Sequence, residues 1–86
     1  MFYTYILQSE KNNKFYIGYT EDLDQRIREH NLGLSSHTSK YIPYKIIWYK
    51  EFELKSEARK FEGYIKKYKN TKKFLNSVGY PDASGL

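Results

Sequence analysis

From Phe2 to Gln8 the chain alternates, with Phe2, Thr4 and Ile6 on one side and Tyr3, Tyr5 and Leu7 on the other. A period of two in residues of this kind predicts a β-strand. Ser9-Glu10-Lys11-Asn12-Asn13 follows as a polar turn, and Lys14-Phe15-Tyr16-Ile17-Gly18-Tyr19 alternates again. The short connection makes an antiparallel hairpin the expected pairing. With Gln8 opposite Asn13, Tyr5 would face Tyr16 and Tyr3 would face Gly18. Two phenols would then share one sheet face with Cβ atoms about 5 Å apart. Gly18 would leave a gap without a side chain, where a ligand could reach the backbone.

The period changes after Thr20, the expected N-cap of a helix that runs to about Asn31 and stops near Gly33, with Glu21 and Asp22 in its first turn. Leu23 and Ile27 would pack inward, and Arg26 and His30, one turn apart, could both look into the sheet. Leu32 to Ile42 reads as a polar loop closed by Pro43, the segment expected to be most mobile. Tyr44 to Phe52 reads as a third strand, expected to be central and buried on both faces, with Trp48 in the core. Ser56 should cap the next helix, in which Ala58, Phe61, Ile65 and Tyr68 make one buried stripe with Glu62 beside it. A short last helix, Thr71 to Val78, would bury Phe74, Leu75 and Val78 and stop at Gly79. The order is β-β-α-β-α-α, an α+β domain over residues 1–79 with a loosely held tail at 80–86.

Eighty-six residues fit one domain, and ten Tyr, five Phe and one Trp give it the material for a core. The absence of cysteine excludes a disulfide scaffold, a thiolate nucleophile and a Cys-ligated metal, and makes a reducing compartment the default. The first apolar run is too short for a signal peptide or a membrane span, so the expectation is a soluble cytoplasmic protein. Charge is divided unevenly. Residues 1–54 carry seven Lys or Arg and seven Asp or Glu, whereas residues 55–86 carry eight against three, so the net +5 lies in the last third. Lys55, Arg59, Lys60, Lys66, Lys67, Lys69, Lys72 and Lys73 would attract phosphates, or simply form a solvated helix face.

His30 and His37 are seven apart across a helix end, with no HExxH and no repeated carboxylate, a poor setting for structural zinc. No glycine-rich phosphate loop, G-x-S-x-G or G-x-G-x-x-G occurs. What is left for chemistry is Tyr5, Tyr16, Arg26, His30 and Glu62. Each also has an ordinary structural use: the tyrosines as sheet aromatics, Arg26 as a partner of Asp22, His30 as a helix C-terminal cation, Glu62 as a partner of Lys66.

Taken together, Tyr3-Thr4-Tyr5-Ile6-Leu7, the turn, Phe15-Tyr16-Ile17-Gly18-Tyr19-Thr20-Glu21-Asp22-Leu23, then Arg26, His30 and Glu62-Gly63-Tyr64-Ile65-Lys66 resemble the GIY-YIG nucleases. Tyr16-Ile17-Gly18 matches the second motif letter for letter, whereas Tyr3-Thr4-Tyr5 stands where the first would read Gly-Ile-Tyr, so only Tyr5 transfers from it. Tyr19 occupies a place where the excision-repair branch tends to have lysine, and no asparagine matches the one that some members carry after the helix glutamate. The length and the Asp22-Leu23 and His30-Asn31 details are similar to the small stand-alone bacterial subfamily.

The resemblance implies a small three-stranded antiparallel sheet with flanking helices, and an endonuclease hydrolysing phosphodiester bonds in nucleic acid, with DNA expected before RNA as the partner. It implies one divalent metal ion, Mg²⁺ or Mn²⁺, on Glu62, with Tyr5 assisted by His30 as base, or else Tyr16, and Arg26 on the scissile phosphate. Gly18, Tyr19, Lys66, Lys67, Lys69, Lys72 and Lys73 are the expected nucleic-acid contacts. Without a separate recognition domain, the cutting would be structure-selective or weakly specific, in the setting of DNA repair or recombination. The alternatives are a nucleic-acid-binding module of the same fold with little or no cleavage, and a basic interaction domain whose aromatics are purely structural.

Overall fold

The computed structural model describes residues 1–35, 38–68 and 71–79. Strands β1 (Phe2–Ser9) and β2 (Phe15–Thr20) are followed by helix α1 (Leu23–Asn31), a 3-10 turn (Ser39–Tyr41), strand β3 (Tyr44–Phe52), and helices α2 (Lys55–Lys66) and α3 (Thr71–Ser77). The three strands form one antiparallel sheet in the order β2-β1-β3. Fold class, element order and antiparallel pairing agree with the sequence.

The central strand does not. β1, not β3, lies in the middle, and everything from Thr4 to Ser9 on it is buried. Its polar side chains each make at least one hydrogen bond there, with Gln8 Oε1 the buried side-chain atom left without a partner among the described residues. Thr4 Oγ1 donates to the carbonyl of Ala58 at 2.7 Å, Gln8 Nε2 to that of Asn13 at 3.2 Å, and Ser9 Oγ to that of Tyr41 at 2.6 Å. β3 is an edge strand whose Lys45, Tyr49, Lys50 and Glu51 are exposed. Between β1 and β3, Ile6 pairs with Trp48 but Leu7 with Ile46, so Ile47 is an extra residue that re-aims the strand.

The hairpin register also differs from the expected one by two residues. Gln8 pairs with Phe15, Leu7 with Tyr16, and Tyr5 with Gly18. The turn itself sets this. Ser9 Oγ accepts from the N–H groups of Lys11 and Asn12, Ser9 N–H donates to Lys14 O at 2.9 Å, and Asn13 takes a left-handed φ of 62°. A shift of two keeps every side chain on its face, so Tyr5 and Tyr16 still project from the same side.

Helices flank both faces. On one, Ile6 packs with Ile65, Phe74 and Leu75 from α2 and α3, ringed by Phe15, Ile17, Ile47, Trp48, Phe61 and Tyr68. On the other, Tyr5, Leu7 and Tyr44 pack with Tyr16, Leu23, Ile27, Ile42 and Ile46. α1 starts later than expected, because Asp22 is the cap: its Oδ1 accepts from Gln25 N–H at 3.0 Å. Thr20 Oγ1 only braces Asp22 N–H from outside, at 3.2 Å. Gly33, at φ 78°, turns the chain out of the helix as anticipated.

α2 likewise begins before Ser56, with Leu54 as its flanking residue and the Glu57 carboxylate accepting from Leu54 N–H at 3.2 Å. Phe74 and Leu75 of α3 are buried, but Val78 lies past the helix end and is 46% exposed, against expectation. Among the described residues no helix is long and apolar enough to cross a membrane. Residues 80–86, His37 and Lys69 lie outside the described residues.

Candidate active site

The α1 face of the sheet gathers four of the five residues singled out for chemistry. Tyr5, 1% exposed, projects from the middle of β1. Arg26, from the middle of α1, donates through Nε to the Tyr5 hydroxyl at 3.3 Å, and His30, one turn on, brings Nε2 to 3.4 Å from the same oxygen. Both contacts are long for hydrogen bonds, so the phenol is bracketed rather than clamped. Tyr16 meets the edge of the His30 ring at 5.0 Å between centroids, and Tyr44 approaches it at 6.0 Å.

Gly18 explains how the phenol fits. A Cβ built on it would lie 2.5 Å from the Tyr5 hydroxyl oxygen and 2.7 Å from Cζ. The glycine is therefore the bed of the Tyr5 ring, and the gap expected there for a ligand is filled by the protein itself. The cause is the register, which sets Tyr5 rather than Tyr3 opposite Gly18.

Arg26 is not paired with Asp22 through its side chain, as its ordinary use would have it. Its Nη1 meets Glu29 Oε1 at 3.1 Å, and the side chain is 35% exposed. Glu62, on α2, is 21% exposed and meets Lys66 Nζ at 3.7 Å. Glu62 has no hydrogen bond to Tyr5, but its charge reaches the phenol. Burial raises the Tyr5 pKa, Arg26 opposes this by hydrogen bond and charge, and Tyr16 and Glu62 add smaller upward contributions. Tyr5 is thus a protonated phenol at neutral pH. His30 is fully buried, and its pKa is lowered from 6.5 by burial and by Arg26, with Glu29 opposing, so it is a neutral imidazole rather than a helix-end cation.

Two contributors lay outside the sequence reading. Thr38, taken as loop punctuation, is buried with Oγ1 2.7 Å from His30 Nδ1. Asn31 closes the end of α1 onto β3: its Nδ2 donates to Tyr44 O at 3.1 Å and its Oδ1 accepts from Tyr44 N–H at 2.6 Å. No spacing rule reaches Thr38, since the contact depends on a loop folding back. Asn31 could have been suspected from its place at a helix end.

Lys66 is engaged by Glu62, Lys67 is exposed beyond the end of α2, and Lys72 and Lys73 are exposed on α3. Tyr19 points to the α2 face of β2, away from Tyr5, and with Phe2, Thr20, Glu21 and Lys55 lines a hollow of about 370 Å³.

A buried phenol between a guanidinium and an imidazole on a small three-stranded sheet is a site for polar chemistry. The sequence profile of the GIY-YIG catalytic domain matches residues 1–75. The chain belongs to the GIY-YIG family. This GIY-YIG domain is 39% identical over 74 residues to a UPF0213 protein of Clostridium perfringens, covering 85% of this chain and 78% of the relative. It is 41% identical over 64 residues to one from Listeria welshimeri, covering 73% and 70%. Among solved structures, the solution NMR structure of a UPF0213 protein of Bacillus halodurans superimposes with a TM-score of 0.57 at 32% identity, covering 94% of this chain and 88% of the other. The family description makes the fold that of a nuclease domain, and the relatives' names carry no activity.

Proposed function

We propose that this GIY-YIG domain is a metal-dependent endonuclease that hydrolyses phosphodiester bonds in DNA, selecting for structure more than for sequence. Branched and nicked DNA arises in repair and recombination, which is the setting we assign to it. The observation that carries the reading is the Tyr5 hydroxyl set between Arg26 Nε and His30 Nε2.

Among the described residues no three ligating side chains converge. One partly exposed carboxylate, Glu62, is nevertheless a fitting donor for a hard cation such as Mg²⁺ or Mn²⁺, whose shell water and a substrate phosphate complete. When bound, such an ion supplies positive charge to the phosphate under attack. The protein's own groups do the rest. Two of Arg26's donors go to Tyr5 and Glu29, and its remaining N–H groups are those we assign to the phosphate, where a planar fork matches two oxygens. Tyr5 takes a proton from the attacking water as its own passes to His30 Nε2. The water oxygen bonds to phosphorus, the bond to the leaving oxygen breaks, and that oxygen takes a proton from solvent. Lys66, Lys67, Lys72 and Lys73, with Lys69, form the proposed phosphate track, whose pull weakens with salt.

Tyr16 is the second choice of base, and its greater exposure is what favours it. The test is cleavage of duplex, flap, forked and single-stranded DNA and RNA with Mg²⁺, Mn²⁺ or chelator. Glu62→Gln should keep binding and lose at least about a hundredfold in turnover, the scale of several kcal/mol of charge stabilisation. Of Tyr5→Phe and Tyr16→Phe, the variant lacking the base should lose most. Turnover unchanged by Glu62→Gln or by chelator overturns the reading, and binding without any cleavage selects the binding-module alternative.

A further inference from the structure

Thr38 is 1% exposed and reaches His30 from the segment that joins α1 to β3. It is held on both sides. Its N–H donates to Ser35 O at 3.2 Å, its carbonyl accepts from Tyr41 N–H at 3.1 Å, and Tyr41 in turn is tied to β1 through Ser9 Oγ. At 2.7 Å, the contact between Thr38 Oγ1 and His30 Nδ1 is shorter than the 3.4 Å contact of Nε2 with the Tyr5 hydroxyl.

The direction of these bonds follows from what each group can do. Arg26 Nε–H only donates, so the Tyr5 oxygen accepts from it. A neutral phenol then has its own proton to place, and the acceptor beside it is His30 Nε2. That arrangement leaves the nitrogen bare. In a neutral imidazole the proton is then on Nδ1, which donates to Thr38 Oγ1, while the hydroxyl proton of Thr38 rotates to suit its surroundings. The chain runs from Arg26 through Tyr5 and His30 to Thr38, each link joining one donor to one acceptor.

We infer that Thr38 is a positioning residue: it holds His30 as the Nδ1–H tautomer and keeps Nε2 bare toward the Tyr5 hydroxyl. For its effect on turnover the inference rests on the nuclease reading, but the tautomer itself can be read without any reaction. A second-row support of this kind fixes ring orientation as well as protonation.

The test is a long-range ¹H–¹⁵N spectrum of the histidine rings in the full chain, with His37→Asn to assign His30. Wild-type His30 should show a protonated Nδ1 and a bare Nε2. Thr38→Val, which keeps the shape and removes the acceptor, should lower the Nδ1–H fraction, and Thr38→Ser should restore it. Cleavage should fall at least tenfold in Thr38→Val and stay near wild type in Thr38→Ser. A protonated Nε2 in the wild type overturns the inference. So does an Nδ1–H fraction indifferent to Thr38→Val, or a changed tautomer with unchanged turnover. Should the wild type cleave nothing, the nuclease reading falls while the spectra still decide the tautomer.

Discussion

The two faces of β1 are equally buried and built for different ends. Toward α2 and α3, Ile6 meets Ile65, Phe74 and Leu75, and the rings of Trp48, Phe61 and Tyr68 stand 5.1, 5.9 and 5.5 Å from that of Phe74. Such contacts are non-directional, and their worth follows the apolar area removed from water. Toward α1, the rings that meet are Tyr5, Tyr16, His30 and Tyr44, each with a polar atom. Burial there fixes where hydroxyls and ring nitrogens point, and it is costly wherever a partner is lost. One face supplies stability and the other spends part of it on orientation. Adjacent residues of one strand should therefore respond to mutation in different units.

The largest effect should come from the apolar face. Phe74→Ala removes the ring at the centre of the aromatic cage and should cost about 3–5 kcal/mol in denaturant unfolding, the usual price of such a cavity. The His30 ring spectrum of the molecules that remain folded should not change. A loss below about 1 kcal/mol would mean that the α2 and α3 face is not the main source of stability. On the other face, Gly18→Ala should cost about 1–3 kcal/mol by overpacking, because the new methyl must displace the Tyr5 hydroxyl or the strand. It should also reduce cleavage at least tenfold, since the phenol loses its place between Arg26 and His30. Unchanged stability and turnover would restore Gly18 as an open gap.

Both faces were legible in the alternation of β1 and β2 and in the α2 stripe, because a buried face imposes its period on the sequence. The hairpin register was not legible, since a slip of two residues leaves that period intact and the choice falls to Ser9 and Asn13 in the turn. β3 was misplaced at the centre for a related reason. Aromatic and β-branched residues suit an edge strand as well as a central one, whereas Thr4, Gln8 and Ser9 disguise β1 as half-polar until their bonds to Ala58, Asn13 and Tyr41 are known. The i, i+4 step from Arg26 to His30 was readable, and it places both against Tyr5. Thr38 was not, because its contact is made by a loop and follows no period.

The smallest effect separates the faces by pH. His30 is enclosed by Arg26 and Glu29 from its own helix, Tyr5, Tyr16 and Tyr44 from the three strands, and Thr38. Burial first, then Arg26, lowers its folded-state pKa below 6.5, with Glu29 opposing. In the unfolded chain the same ring titrates near 6.5, so below that pH the unfolded state takes up a proton that the folded state refuses. Protons then favour unfolding. His30's contribution is complete above about pH 6.5 and is lost as pH falls from there toward the folded-state pKa, at up to about 1.4 kcal/mol per pH unit. Urea unfolding between about pH 7.5 and 5 should show the wild type losing more stability than His30→Gln, while Phe74→Ala keeps the wild-type slope. The difference in slope is the readout, because every other titratable group is common to all three proteins. Equal slopes for wild type and His30→Gln would mean that the folded protein accepts the proton, and that the α1 face is no harder to charge than water.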